Sequence, residues 1–347
     1  MSASESNTDS TLNEPVLETT HTSIPAGAPR VRPSRAEVNP ERGGGSVAED
    51  QGAGAEDPAQ ASTPNRSPRT GRIQVPVPSV VRARERGRIA EQNPVVLRTE
   101  MLTKIYGSLV AANEVSMEVH AGSFTGVVGP NGAGKTTTLS MITGLLRPTS
   151  GRVTVSGVDV WSDGPAAKRL IGTLPDRLRL FDRLTGAQLL YYSGVLHGVS
   201  AAAVSQRSAE LAEAFGLESA LGRLVSDYSA GMQKKIALAC SMIHAPEVLV
   251  LDEPFEAIDP VSASNVTEIL EKYVGGGGSV VMSSHSLDLI QRICDHVTII
   301  VDGSVIAQGT VDAVRDGMSL EERFVALTGT SESKKGLEWL HGFSDSA

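Results

Sequence analysis

Aromatic residues are scarce in this chain: two tryptophans, five tyrosines and six phenylalanines among 347 residues, with none before Tyr106. Large aromatic side chains supply much of the buried area of a core, so the upstream stretch lacks ordinary core-building material. Residues 1–93 are instead rich in Ser, Thr, Pro, Gly, Ala, Glu and Arg, with Gly43-Gly44-Gly45 and scattered prolines. That composition buries too little apolar surface to offset its ordering entropy, and a disordered low-complexity tail is expected there. Cysteine is nearly absent. Cys240 and Cys294 both fall in apolar periodic segments, which points to buried thiols in a reducing compartment rather than a disulfide or metal site. The opening MSASESNTDS has neither a basic region nor an apolar stretch of a secretory signal. No run of about eighteen apolar residues could span a bilayer. Formal net charge is −9, which argues against broad nucleic-acid binding. These absences lead to the expectation of a cytoplasmic protein.

One local exception to the acidic balance is the run Arg82-Ala83-Arg84-Glu85-Arg86-Gly87-Arg88. It reads either as a solvated, flexible charge run or as a contact for anionic lipid head groups or a membrane partner's cytoplasmic loops.

Downstream, hydrophobic periodicity takes over. Residues 95–107 and 111–122 alternate as strands, with Val115, Met117 and Val119 on one face and Gly122 in the turn. Residues 152–160 form another, turning at Ser156-Gly157. From Leu184 to about His244 the spacing is helical, in three runs, and Pro246 stops the last. The segments EVLVLDEP and SVVMSSHS are short and nearly all apolar, as strands buried on both faces of a mainly parallel sheet must be. Residues 297–309 read as a hairpin with Asp302-Gly303 at its turn. A helix over residues 310–317 and the segment 319–329 follow, and residues beyond about Thr330 are expected to fray, with Leu337, Trp339 and Leu340 able to dock. No internal repeat is visible.

The chemistry centres on FTGVVGPNGAGKTTTLSMI, residues 124–142. An apolar strand leads into Gly129-Pro130-Asn131-Gly132-Ala133-Gly134-Lys135-Thr136, and an amphipathic run from Thr137 to Leu145 follows. This is G-x-x-x-x-G-K-[ST] with a strand before it and a helix after it, the phosphate-binding P-loop. Glycines let successive backbone N–H groups converge on phosphate oxygens, and the helix points its positive end at the same place. Lys135 would reach the β- and γ-phosphates and the Thr136 hydroxyl would ligate Mg²⁺. The alternative is a glycine-rich turn alone. A second signal is Val248-Leu249-Val250-Leu251-Asp252-Glu253, which puts two carboxylates at the carboxyl end of a buried strand, the ligand-binding edge of an open α/β sheet. Asp252 can hold Mg²⁺ through its water shell and Glu253 can polarise the attacking water.

Tyr228-Ser229-Ala230-Gly231-Met232-Gln233 comes just before a helical run. At this point the chain resembles the ATP-binding cassette family, whose signature reads Leu-Ser-Gly-Gly-Gln at a helix start upstream of the acidic strand. Ser229 and Gly231 match, whereas Tyr228, Ala230 and Met232 depart. What is kept is the serine hydroxyl and the helix N-terminus, the parts that would hold a γ-phosphate; Ser-x-Gly is also an ordinary N-cap. Asp259 resembles the family's D-loop aspartate and is equally an N-cap before Pro260. His285 stands where the family has its switch histidine, and Tyr106 where it has an aromatic stacking on adenine, a core tyrosine being the alternative. Asp176 takes the place of a glutamine that links the metal site to the transport partner. It is shorter and adds negative charge near the phosphates.

The resemblance spans roughly residues 95–328 and is nearest to the ATPase subunits of bacterial ABC-2 type exporters. It implies an α/β fold with a P-loop NTPase core, a mainly parallel sheet, an antiparallel β subdomain and an inserted helical subdomain at about 176–245. It implies a nucleotide-binding domain over 94–328 and a C-terminal tail over 329–347. It implies ATP and Mg²⁺, with catalytic Glu253, His285 and Lys135. ATP contacts would come from Tyr106, residues Gly129 to Thr137, Ser229, Gly231 and Asp259, and metal contacts from Thr136, Asp252 and Asp176. Two nucleotide-binding domains would stack head to tail, as a homodimer or heterodimer, beside an integral membrane permease at the inner face of the cell membrane, with no nucleic-acid partner. A soluble cassette ATPase acting on ribosomes or DNA is the alternative, but such proteins usually carry two cassettes or a long coiled-coil insertion. A degenerate regulator is disfavoured by the intact Lys135, Asp252, Glu253 and His285.

Overall fold

A computed structural model describes residues 89–329 together with Ala83, Arg86 and Gly87. The expectations for the rest of the upstream tail and for Leu337, Trp339 and Leu340 lie outside the described residues. Two sheets organise the chain. The larger has six strands in the order β10-β9-β3-β8-β7-β6. Here β3 is Phe124–Val128, β6 Ile171–Leu174, β7 Val248–Leu251, β8 Ser279–Ser283, β9 His296–Val301 and β10 Ser304–Thr310. All neighbours run parallel except β10, which returns antiparallel beside β9. Every residue of β3, β7 and β8 is buried, which explains why these strands are continuous apolar runs and not alternating ones.

The smaller sheet is antiparallel, in the order β2-β1-β4-β5. It comprises β1 Val95–Tyr106, β2 Leu109–His120, β4 Ser150–Val155 and β5 Val158–Asp159. Val115, Met117 and Val119 turn inward as their alternation predicts. They share a core with Val127, Met141 and Ile142, so this sheet packs beside the P-loop helix.

The P-loop helix α1 is Lys135–Ile142. It stops short of the expected Leu145 because Gly144 takes a left-handed conformation at φ 71°. A helix not legible from periodicity, α2 Gly164–Leu170, is capped by Asp163 and buries only Ala167, so it carries almost no apolar stripe. The expected helical region contains α3 Gly186–Leu196, α4 Ala201–Phe215 and α5 Ala230–Met242. Thr185 and Gln188 make a reciprocal capping box for α3, and Ser200 and Ser229 cap the other two. Helices α6 Pro260–Gly275, α7 Leu287–Ile293, α8 Val311–Arg315 and α9 Leu320–Thr328 complete the order. No helix among the described residues is long and apolar enough to cross a membrane.

Packing extends upstream of residue 93. Ala83 and Ala90 are buried, and Arg86 pairs with the buried Asp295 at 2.8 Å. Ala83, Gly87 and Ala90 are small and helically spaced, which lets this segment lie against residue 295; a Cβ on Gly87 would sit 3.5 Å from the Asp295 Cβ. Arg86 is therefore a bound cation and not part of a solvated run.

Candidate functional site

The phosphate loop links the buried strand β3 to α1. Two of its glycines are required by contact. A Cβ on Gly129 would lie 2.1 Å from the Ile300 carbonyl oxygen, and one on Gly134 would lie 2.3 Å from that of Ala111. Gly134 also holds φ 99° at the N-terminus of α1, a conformation open to glycine. The β9–β10 turn supports the loop from behind, since Gly303 N–H donates to the Ala133 carbonyl at 3.0 Å. Lys135 Nζ donates to the carbonyls of Gly129 at 2.8 Å and Pro130 at 3.1 Å. The ammonium is thus held over the loop, where phosphate oxygens would compete for it.

The acidic edge is fixed by β7 and β8 together. Asp252 is buried, and its N–H donates to the Leu174 carbonyl at 2.8 Å. Ser283, at the end of β8, donates its hydroxyl to Asp252 Oδ1 at 2.5 Å and accepts the Glu253 N–H at 2.9 Å. Glu253 itself sits at φ 48°, an uncommon conformation for a non-glycine residue that concentrates at functional sites. His285 Nδ1 lies 3.0 Å from Glu253 Oε2. The Glu253 side chain is 16% exposed and that of His285 69%, so the carboxylate is shielded while the imidazole reaches solvent. Ser283 was not among the expected site residues; its only sequence signal is the serine pair that ends the strand.

These groups share one cavity of 830 Å³. It is lined by Tyr106, by Asn131 through Thr137, and by Asp176, Asp252, Glu253 and His285. Gly129 and Pro130 lie behind it as the partners of Lys135. Tyr106 is half exposed at the mouth and not in a core, with Lys104 Nζ 5.1 Å from its ring centroid. Leu109 and Val110 extend the apolar side, and Asp302 and Glu256 also reach it. Such a cavity, apolar at one end and lined with amides, a lysine and carboxylates at the other, suits a nucleotide with its phosphates.

Three further expected residues stay outside the cavity. Ser229 caps α5, its hydroxyl accepting the Met232 N–H at 3.3 Å. Gly231 follows in the same turn. Asp259 caps α6 by accepting from Val261 and Ser262, and the bonds from Ser262 hold its carboxyl below the ordinary value. Ser229 and Asp259 are exposed, open to a second chain. Tyr228, a departure from the signature, is buried, and its hydroxyl donates to the Ala220 carbonyl at 2.7 Å. It closes over Gly186, where a Cβ would lie 2.1 Å from that hydroxyl, so the departure anchors α3.

Thr136, Asp252 and Asp176 bring hydroxyl and carboxylate oxygens to one end of the cavity. These hard donors fit Mg²⁺, which binds through one or two carboxylates plus substrate phosphates and water. Among the described residues no group of three or more His, Cys, Asp or Glu is arranged to hold a metal alone. Cys240 and Cys294 are free, and burial pushes both thiols up, Cys240 to about 11. A groove beside Asp176 is lined by Leu178, Arg179, Leu180, Phe181, Lys168 and the stacked pair His197–His244. Burial pushes His244 down to about 4, so its imidazole is neutral near pH 7.

Comparison with known proteins agrees with this fold. The sequence model of the family described as "ABC transporter" matches residues 112–256. The daunorubicin/doxorubicin resistance ATP-binding protein DrrA of Streptomyces peucetius is 36% identical over 222 residues, 64% of this chain and 67% of that protein. The linearmycin resistance ATP-binding protein LnrL of Bacillus subtilis is 34% identical over 215 residues, 62% of this chain and 69% of that one. Among solved structures, an ATP-binding subunit of an ABC transporter aligns with a TM-score of 0.64 at 29% identity, over 67% of this chain and 99% of its own. A dimeric ATP-binding cassette, MJ0796, bound to ADP and Pi has a TM-score of 0.58 at 23% identity, over 62% of this chain and 98% of its own, which speaks for the fold.

Proposed function

The chain belongs to the ABC transporter family, as an ATP-hydrolysing subunit of the exporter type, and from that premise we propose how its residues divide the work. Two copies, or this chain and a similar one, stack head to tail. ATP lies in the 830 Å³ cavity of one chain and is closed over by Ser229 and Gly231 of the other. The observation that carries this is the exposure of Ser229 at the start of α5 while Lys135, Asp252, Glu253 and His285 share the cavity. In its own chain the signature serine hydroxyl caps α5. It is free to point its helix N-terminus at a phosphate held elsewhere.

Within the site, the loop amides and Lys135 hold the β- and γ-phosphates, and Tyr106 offers its face to the base. Thr136 and Asp252 would hold Mg²⁺, with Asp176 at the same edge, and the ion when bound neutralises charge on the phosphates. Glu253 accepts the proton of the attacking water. Its short link to His285 and the Ser283 bond to its N–H keep the carboxylate aimed across the cavity. The relatives named above are called resistance proteins for linearmycin and for daunorubicin and doxorubicin. By that likeness the subunit serves an exporter whose permease is a separate membrane protein, and it works peripherally at the inner face. The likeness to exporter subunits, and not to ribosomal or nucleic-acid-acting proteins, supports this reading over the alternative.

Replacing Glu253 with Gln tests the assignment. The variant is expected to bind Mg·ATP, to turn over at least about a hundredfold more slowly, and to migrate as an ATP-dependent dimer in light scattering. Turnover at the parent rate would remove Glu253 from catalysis, and a variant that stays monomeric with ATP would remove the sandwich.

A further inference from the structure

Lys234 is a lysine in a place where lysine is rarely found. It lies in the second turn of α5 (Ala230–Met242) and is 5% exposed, whereas lysine is almost never fully buried unless paired. The helix is held close on both sides of it. A Cβ on Gly231 would lie 3.5 Å from the Ala257 carbonyl oxygen, and one on Gly172 of β6 would lie 2.1 Å from that of Ser241. Lys234 falls between these two contacts, three residues after Gly231 and so on its face of the helix. That places it on the helix between the segment after Asp252 and β6, the strand that leads to Asp176.

Four acidic groups act on it. Glu256 acts on it most strongly, followed by Asp176, Asp252 and Glu253. All four line the nucleotide cavity with Lys135. Burial pulls the Lys234 ammonium below the usual lysine range and the four carboxylates pull it back. Four carboxylates on one rim would repel each other and the γ-phosphate, and Asp176 makes this worse by standing where an uncharged amide would serve.

We propose that Lys234 is a positioning residue, the internal counter-ion that lets Asp176 and Glu256 share the metal edge with Asp252 and Glu253. It rests on the reading of the cavity as a Mg·ATP site. It also links two sites, because α5 begins at Ser229. The helix that would offer its N-terminus to the partner's nucleotide carries a balancing charge of its own chain's nucleotide site. A shift of α5 changes the field at that edge.

A double-mutant cycle on the full chain tests it, read by binding of the fluorescent analogue mant-ATP with Mg²⁺, by ATP turnover and by melting temperature. K234M is expected to weaken Mg·mant-ATP binding about tenfold, the scale of one unit charge acting inside a protein, with little change in melting temperature. K234R is expected to stay within about threefold of the parent. D176N in the K234M background should recover most of the lost affinity. Should K234M not fold, K234Q enters the same cycle. Additive effects of the two substitutions, or K234R as impaired as K234M, would overturn the proposal while leaving the site assignment intact. A parent chain that binds no Mg·mant-ATP would overturn both.

Discussion

Arg86 Nε donates to both carboxylate oxygens of Asp295, at 3.0 and 2.8 Å, while its Nη2 donates to the Ile293 carbonyl at 2.8 Å. The guanidinium also lies 4.8 Å from the Phe124 ring centroid, and Asp295 accepts the Phe124 N–H at 2.7 Å. A residue upstream of the expected domain is thus fastened to the first residue of the P-loop strand. The Asp295 side chain is fully buried, and burial pushes its carboxyl up to about 6 against the pull of Arg86 and the Phe124 amide. A raised carboxyl holds its proton more tightly in the folded state. Its stabilisation is complete below the ordinary value of 3.8 and is lost as pH rises through about 6. At neutral pH the ionised Asp295 therefore depends on Arg86. R86A is expected to destabilise the chain by about 3 kcal/mol at pH 7.5, and by less at pH 5, where Asp295 takes up a proton. Urea unfolding at the two pH values measures this, and an equal loss at both would refute the coupling.

The Ser283 hydroxyl joins the two catalytic-edge acids, donating to Asp252 and accepting from the Glu253 N–H. S283A leaves that N–H unpaired beside a left-handed backbone. Turnover is expected to fall about ten- to a hundredfold, the usual cost of losing a group that orients a metal ligand. Nucleotide binding should change far less. Steady-state ATPase rates set against mant-ATP affinity separate the two, and a turnover within twofold of the parent would dismiss Ser283 as an orienting group.

The contrast between Lys135 and Ser283 shows what the sequence makes legible. Lys135 acts with residues that are its neighbours in the chain, Gly129 to Thr136, so their types and spacing state the chemistry. Asp252 and Glu253 likewise follow their own strand. Ser283 matters because β7 and β8 run parallel with Leu251 opposite Met282, a register that no local pattern encodes. Arg86 finds Asp295 across 209 residues, and beside other arginines it looks like one more solvated charge. Lys234 reads as an ordinary helix-surface lysine until α5 is seen pressed against β6. Helix α2 went unseen because one buried alanine makes no stripe. The signature departures were visible, but the reason for Tyr228 needed the Ala220 carbonyl and Gly186 beside it.

Ser229 and Lys135 belong to different sites if the head-to-tail arrangement holds. Chains carrying S229R and chains carrying K135A are each expected to be inactive as homodimers. Mixed, they form heterodimers with one intact site, and ATPase activity should return to about a quarter of the parent value if each site works alone and pairing is random. Native mass spectrometry confirms heterodimer formation in the same samples. Heterodimers without recovered activity would place Ser229 elsewhere than across from Lys135.

Phe181 is 69% exposed, in the groove beside Asp176 with Leu178, Leu180 and the cations Arg179 and Lys168. An aromatic side chain left in water at the edge of an apolar groove is costly by the area it exposes, and exposed apolar groups rimmed by charge mark interaction surfaces. His244, neutral at the groove, adds no repelling charge. A short helix with an apolar face and an acidic residue at its end fits these features: the face covers Phe181 and Leu178, and the acid meets Arg179 or Lys168. A photoreactive residue in place of Phe181 is expected to crosslink, in native membranes, to a multispanning protein. The yield should fall as the parent site hydrolyses ATP and persist in the E253Q background, if the ATP-bound dimer is the state that seats the helix. Crosslinks confined to soluble or ribosomal proteins, with the chain absent from the membrane fraction, would defeat the permease partner and leave Phe181 covered by something else.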